Sequence, residues 1–204
     1  DLQHVFESNY LKMGFIKIKL ASREILVVAF ISLVGFFVRL TFLTTDRFLT
    51  YDEAWTLALA KAGISGIING SISAINLPLH FLLLHLWLKI NQNLFFLRFS
   101  SVLLGTLTIP LIWFVAKKLF SPKVGQIASL LVAFSPAFIF ESINLRMYAL
   151  GILESLLIIY FFWQFLKSQK NFFLFALSLI ILLGLYTHQF FILAILAFSS
   201  QTSN

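Results

Sequence analysis

The chain has 204 residues, of which 60% are hydrophobic and only 11% charged, with 25 phenylalanines and a formal net charge of +7. Soluble domains run near ~45–50% apolar and ~25% charged, and a chain this short has too little interior to hide the excess. Disordered chains are poor in aromatics and rich in charge, so the composition excludes that class too and places the chain in a bilayer. The basic residues sit in short clusters between apolar runs, as topology signals do, and nothing resembles a nucleic-acid-binding stripe. There is no cysteine, hence no disulfide framework, thiolate catalysis or Cys-based zinc site.

Residues 1–24 carry Lys12, Lys17, Lys19 and Arg23 and read as a cytoplasmic N-terminal segment. The first span is expected at Ile25–Leu43, too long for a signal-peptide core and without a small-x-small cleavage site. Further spans are expected at 94–116, 124–140, 147–166 and 172–187, with a sixth beginning at 189–198. Residues 199–204 then read as a truncated end, and the chain as the N-terminal part of a longer protein. Each of the first four spans is near the ~20 residues that cross ~30 Å of hydrocarbon.

Pro78–Ile90 would rise only ~20 Å as a helix, so it is expected to lie at the interface. Keeping it out of the membrane puts nine basic residues inside, against Arg47, Lys61 and Lys89 in external loops. The expected fold is all-α: a polytopic transmembrane helix bundle with interfacial helices in a large external loop, Thr44–Asn93.

That loop contains Thr50-Tyr51-Asp52-Glu53-Ala54-Trp55. Thr50 and Glu53 have capping-box spacing, which accounts for Glu53 about as well as a catalytic role does. Asp52 is not needed for the cap and is freer to act as a general base. The second external turn, Glu141 to Tyr148, carries Arg146, which either snorkels to headgroups or offers a rigid fork to a phosphate. Arg98 falls on the same membrane side. Two arginines and two carboxylates converging on one face say more than any one of them. Glu154 and Arg39 lie within spans, where ionisable groups default to a functional hypothesis, with hydrogen-bonded packing and snorkelling as the alternatives. His188 stands at the external end of the fifth span. His80 and His85 are ~140° apart around a helix and form no metal clamp by themselves.

Tyr51-Asp52-Glu53-Ala54, Leu77-Pro78-Leu79-His80-Phe81, Leu97-Arg98-Phe99-Ser100-Ser101, Arg146-Met147-Tyr148-Ala149-Leu150 and Leu185-Tyr186-Thr187-His188 follow one another in order. Together they resemble the GT-C membrane glycosyltransferases. The similarity is to bacterial relatives of the protein O-mannosyltransferases and the lipid A aminoarabinose transferase, including the RgtA/B/C/D-like lipopolysaccharide-core transferases. The resemblance implies an enzyme of a bacterial plasma membrane that transfers a sugar, with inversion, from a polyprenyl-phosphate donor. The acceptor would be a hydroxyl of a glycan, lipid or protein at the external face. It implies a catalytic base at Asp52 beside Glu53, and substrate contacts from Arg98, Arg146, Glu141, Asn144, Tyr148 and His188. Relatives often carry a carboxylate where this chain has Asn144, and Glu141 stands one turn earlier. The sequence supports no metal site and leaves any cofactor, a divalent metal included, open. The rival readings are a transporter or flippase for a lipid-linked or anionic substrate, and a catalytically silent homologue.

Overall fold

The computed structural model describes the backbone of residues 2–43, 48–74 and 77–193, and the side chains of 23–43, 48–71 and 77–193. Arg47, Asn76, the second half of the expected sixth span and the segment 199–204 lie outside the described residues. The described residues fold as helices: α1 (Leu2–Leu43), α2 (Tyr51–Lys61), α3 (Gly63–Ala74), α4 (Leu79–Leu88), α5 (Leu94–Leu119), α6 (Pro122–Phe134), α7 (Pro136–Ile143), α8 (Tyr148–Ser168) and α9 (Asn171–Thr187), then a 3₁₀ turn, Gln189–Phe191.

Among the described residues, three helices are long and apolar enough to cross a membrane, Arg23–Leu43 within α1, α5 and α8, or up to four if the bent pair α6–α7 makes one span. The protein is a multi-pass integral membrane protein. The first helix starts well before the apolar run, because no proline interrupts Leu2–Glu24 and helix propagation is cheap once begun. Its outward face exposes Ile25, Leu26, Phe30, Leu33 and Phe37, a surface suited to lipid and unsuited to water.

Around α5 the bundle closes, with α1, α6, α7 and α8 packed against it. Small residues allow the approach. A Cβ on Gly105 would fall 2.0 Å from Ser142 Oγ of α7, and one on Gly125 would fall 2.7 Å from the carbonyl of Trp113. Close backbone contact of this kind replaces the hydrophobic drive that lipid removes. Glu24 pairs with Lys117, so the basic end of α1 and the C-terminal end of α5 share one end of the molecule.

Where one straight span over 124–140 was expected, the chain bends by 57° between α6 and α7. Pro136 has no N–H for the carbonyl four residues back, and Ser135 is extended at ψ 124°. The freed acceptors are met from another helix. Arg39 of α1, wholly buried, donates to the carbonyls of Val132 (3.1 Å) and Ala133 (3.1 Å), and to Gly35 in its own helix (3.0 Å). The negative end of the α6 dipole adds to the attraction.

At the opposite end of α5, helices α2, α3 and α4 form a small cap. Ala60, Leu84, Leu88, Leu97 and Leu145 make its core, so α2, α4, α5 and the α7–α8 connection are locked together. Trp87 stacks on Phe96 at 4.9 Å and donates to its carbonyl (2.8 Å). With ten residues, α4 rises only ~15 Å, half a hydrocarbon core.

Candidate active site

The site begins with the cap of α2. Thr50 accepts from the Glu53 amide, and the Glu53 carboxylate accepts from the Thr50 amide (3.1 Å), a complete capping box. The same carboxylate does more. Arg98 of α5 grips it with Nε to Oε1 (2.9 Å) and a terminal nitrogen to Oε2 (2.8 Å), and the Leu145 amide donates to Oε1 (3.0 Å). Glu53 is fully buried. Burial alone would raise its pKa, but the bonds from Arg98, Leu145 and Thr50 and the Arg98 charge outweigh it and hold the carboxyl below its usual range. Glu53 therefore fastens three pieces of chain together, and neither oxygen is left for a substrate.

Asp52 points the other way. Its side chain is 63% exposed, and Oδ2 lies 3.9 Å from a terminal nitrogen of Arg146. Arg146 also donates to Thr56 Oγ1 (3.2 Å), whose hydroxyl donates to the Asp52 carbonyl (2.8 Å). The guanidinium lies 5.7 Å from the Tyr148 ring centre, within cation–π reach. Tyr148 in turn sits 6.4 Å from His188. His188 caps the 3₁₀ turn, its Nδ1 accepting from the Phe190 amide (3.2 Å). Its pKa is lowered, first by burial and then by the Arg146 charge.

Beside this cluster opens an apolar cleft of about 580 Å³, with Glu141, Tyr148 and His188 on its polar side and Ile152, Ile158 and Phe191 on its apolar side. Gly184 admits Phe191 against α9, where a Cβ would meet the ring at 2.6 Å. Glu154 is buried behind the cleft and accepts from Thr187 Oγ1 at 2.9 Å. That bond ties α8 to the end of α9, immediately before His188.

The structure thus gathers Asp52, Arg146, Tyr148, Glu141 and His188 around one guanidinium and one cleft. Arg98 is drawn to Glu53 and to the Phe48 carbonyl (3.3 Å). Asn144 is buried at the C-cap of α7 and does not line the cleft. Two neighbours were not anticipated. Thr56, a helical turn after Asp52, is legible as an i,i+4 partner. His80 is buried within the field of Arg146, and burial first, then that charge, lowers its pKa to about 4. No spacing announces it. His85, by contrast, spends its Nδ1–H on the Ala60 carbonyl (2.9 Å). Among the described residues, no three His, Asp or Glu side chains are grouped to hold a metal ion.

Chemically, the cluster offers an exposed carboxylate, a cation beside it and an apolar recess. No curated protein and no solved structure matches the chain. The family model of dolichyl-phosphate-mannose-protein mannosyltransferase does match, over residues 76–199. That range holds Arg98, Glu141, Arg146, Tyr148 and His188, while Asp52 and Glu53 precede it. It takes in α4 to α9 and more than half of the sequence, so the chain belongs to the dolichyl-phosphate-mannose-protein mannosyltransferase family of membrane glycosyltransferases.

Proposed function

We propose that the protein transfers a sugar from a polyprenyl-phosphate-linked donor to an acceptor hydroxyl, with inversion, at the membrane face away from Lys117 and Lys118. The motif order supports a place near the RgtA/B/C/D-like and aminoarabinose transferases. The observation that carries the reading is the exposed Asp52 carboxylate 3.9 Å from Arg146, whose guanidinium lies 5.7 Å from the ring of Tyr148 at the border of an apolar cleft. Asp52 takes the proton of the acceptor hydroxyl as its oxygen bonds to the anomeric carbon. The bond from that carbon to the phosphate oxygen breaks, and the polyprenyl phosphate leaves as an anion.

Arg146 is the cation placed to meet the developing charge. Arg98 acts through Glu53 instead, holding the first turn of α2 against Leu145 and so fixing Asp52 relative to Arg146. The cleft suits the first isoprene units, and α4 lies in the interface as part of the cap. The transporter reading loses its two intramembrane groups, because Arg39 and Glu154 are both engaged in joining helices.

Full-length protein incubated with a panel of polyprenyl-phosphate sugars tests the proposal. Asp52→Asn keeps the shape of the side chain and removes the proton acceptor. It is expected to lower turnover ~10²–10⁴-fold with donor affinity nearly unchanged. Near-normal turnover in this variant would sink the assignment.

A further inference from the structure

Two neighbouring carboxylates in the first turn of α2 each face an arginine, and the two pairs differ in how far they have closed. Arg98 presents its fork squarely to Glu53, with contacts of 2.9 and 2.8 Å. Arg146 turns only one terminal nitrogen, Nη2, toward Asp52 Oδ2, and stops at 3.9 Å, beyond hydrogen-bond range. Opposite charges at this separation attract, and a guanidinium fork matches a carboxylate with two parallel bonds. The open pair therefore needs something to hold it open.

Thr56 is placed to do so. Nη1 of Arg146 donates to Thr56 Oγ1 at 3.2 Å, and among the described residues this is the one hydrogen bond that Arg146 makes; its Nε is sealed without a partner. Thr56 is wholly buried, so its hydroxyl is a fixed point. The hydroxyl proton goes to the Asp52 carbonyl four residues back (2.8 Å), an option open to any helical threonine. Its oxygen is thus left to Arg146 as an acceptor. Because the guanidinium is planar and rigid, anchoring Nη1 on Thr56 keeps both terminal nitrogens from facing Asp52 together. The ring of Tyr148, 5.7 Å from the guanidinium, supports the same orientation.

We propose that Thr56 is a positioning residue for the transfer reaction. It holds Arg146 turned from Asp52, so that the carboxylate stays available to the acceptor hydroxyl and Nη2 to the phosphate of the donor. A closed pair, like that of Glu53 with Arg98, would leave neither. The proposal rests on the roles given to Asp52 and Arg146 in the sugar-transfer reading, and adds the residue that keeps those roles from cancelling.

The test uses full-length protein and polyprenyl phosphate, the product of the transfer, as a probe of Arg146 by titration without turnover. Thr56→Val and Thr56→Ala both remove the acceptor, the first keeping its shape. Each lets Arg146 close on Asp52, so affinity for polyprenyl phosphate should fall ~10-fold. Turnover should fall ~10–100-fold. Thr56→Ser keeps the hydroxyl and should stay near wild type in both measurements. Removing the competing anion should undo the loss of affinity: Thr56→Val combined with Asp52→Asn should bind the probe as tightly as Asp52→Asn alone. Neutralising an exposed carboxylate mends no packing defect, so this rescue separates positioning from a structural role. Unchanged affinity in Thr56→Val, equal losses in Thr56→Ser and Thr56→Val, or no rescue by Asp52→Asn each overturns the proposal. Wild type that binds the probe but transfers no sugar from any donor refutes the transfer reading, and the affinity comparison still decides the role of Thr56. Wild type that does not bind the probe overturns both.

Discussion

Arg98 closes a two-pronged ion pair on Glu53 across 45 residues of sequence, and both side chains are buried. The pair welds α2 to α5 while the Leu145 amide adds the α7–α8 connection to the same carboxylate. Removing one member of a buried pair leaves the other uncompensated, at about 3–5 kcal/mol. Arg98→Ala is therefore expected to lower the melting temperature of the purified protein sharply, far more than Asp52→Asn. Equal melting temperatures would show that the pair does not hold the cap.

The same pair sets an acid limit. Folding lowers the Glu53 pKa, so the unfolded chain binds more protons in the window between the two values. The stability from Glu53 is fully present above the ordinary glutamate range and is lost as pH falls through the folded value. Melting temperature followed downward from pH 6 should fall steeply in wild type below about pH 4.3. In Glu53→Gln, already less stable, the fall should be shallower.

Arg39 and Pro136 should behave as a coupled pair. Arg39→Met leaves the carbonyls of Val132 and Ala133 without the donors they now have, at about 1–3 kcal/mol each. Pro136→Ala returns a backbone N–H at the break. The double variant should be less destabilised than the two single changes added together, and a thermal double-mutant cycle measures the difference. Strict additivity would deny the link.

Glu154→Gln should fold and turn over nearly as wild type, because an amide oxygen still accepts from Thr187 Oγ1. Glu154→Leu should loosen the end of α9 and, through His188, the cleft. Thr187 keeps its bond to the Leu183 carbonyl, so the stability loss should stay near the low end of about 1–3 kcal/mol. Equal loss of activity in both variants, with normal folding, would mean that the charge matters.

Sidedness is directly readable in a chain without cysteine. Lys118→Cys and Lys89→Cys place exposed thiols at the α5 end shared with Glu24 and on the cap. An impermeant reagent applied outside should label position 89 and spare 118; the reverse pattern would invert the topology. Asn144 is a poor probe because the fold buries it.

What could be read ahead of the structure was whatever depends on neighbours in sequence. The Thr50–Glu53 cap is written in T-x-x-E spacing, and the structure closes it as a complete box. Bonds that join distant elements were not legible. Nothing near Glu53 announces Arg98, and the break at Pro136, inside the expected 124–140 span, is completed by a side chain of another helix. Arg39 was the hardest to assign from sequence, because its acceptors are main-chain carbonyls that any residue supplies. Its position within a span suggests function or snorkelling, and the structure shows it capping a broken helix.

The Arg39 contact also has a history in time. Ribosomes make α1 first, and the acceptors of its guanidinium lie 93 and 94 residues later. Until α6 arrives, the first span carries an unmatched cation worth up to ~2.5–3.5 kcal/mol against insertion. The newborn helix is apolar enough to cross on its own, at a mean hydropathy of 2.4, and it sheds the cost of that cation when the broken helix docks. Assembly of the bundle thereby tightens the hold of the first span, with an arginine as the latch.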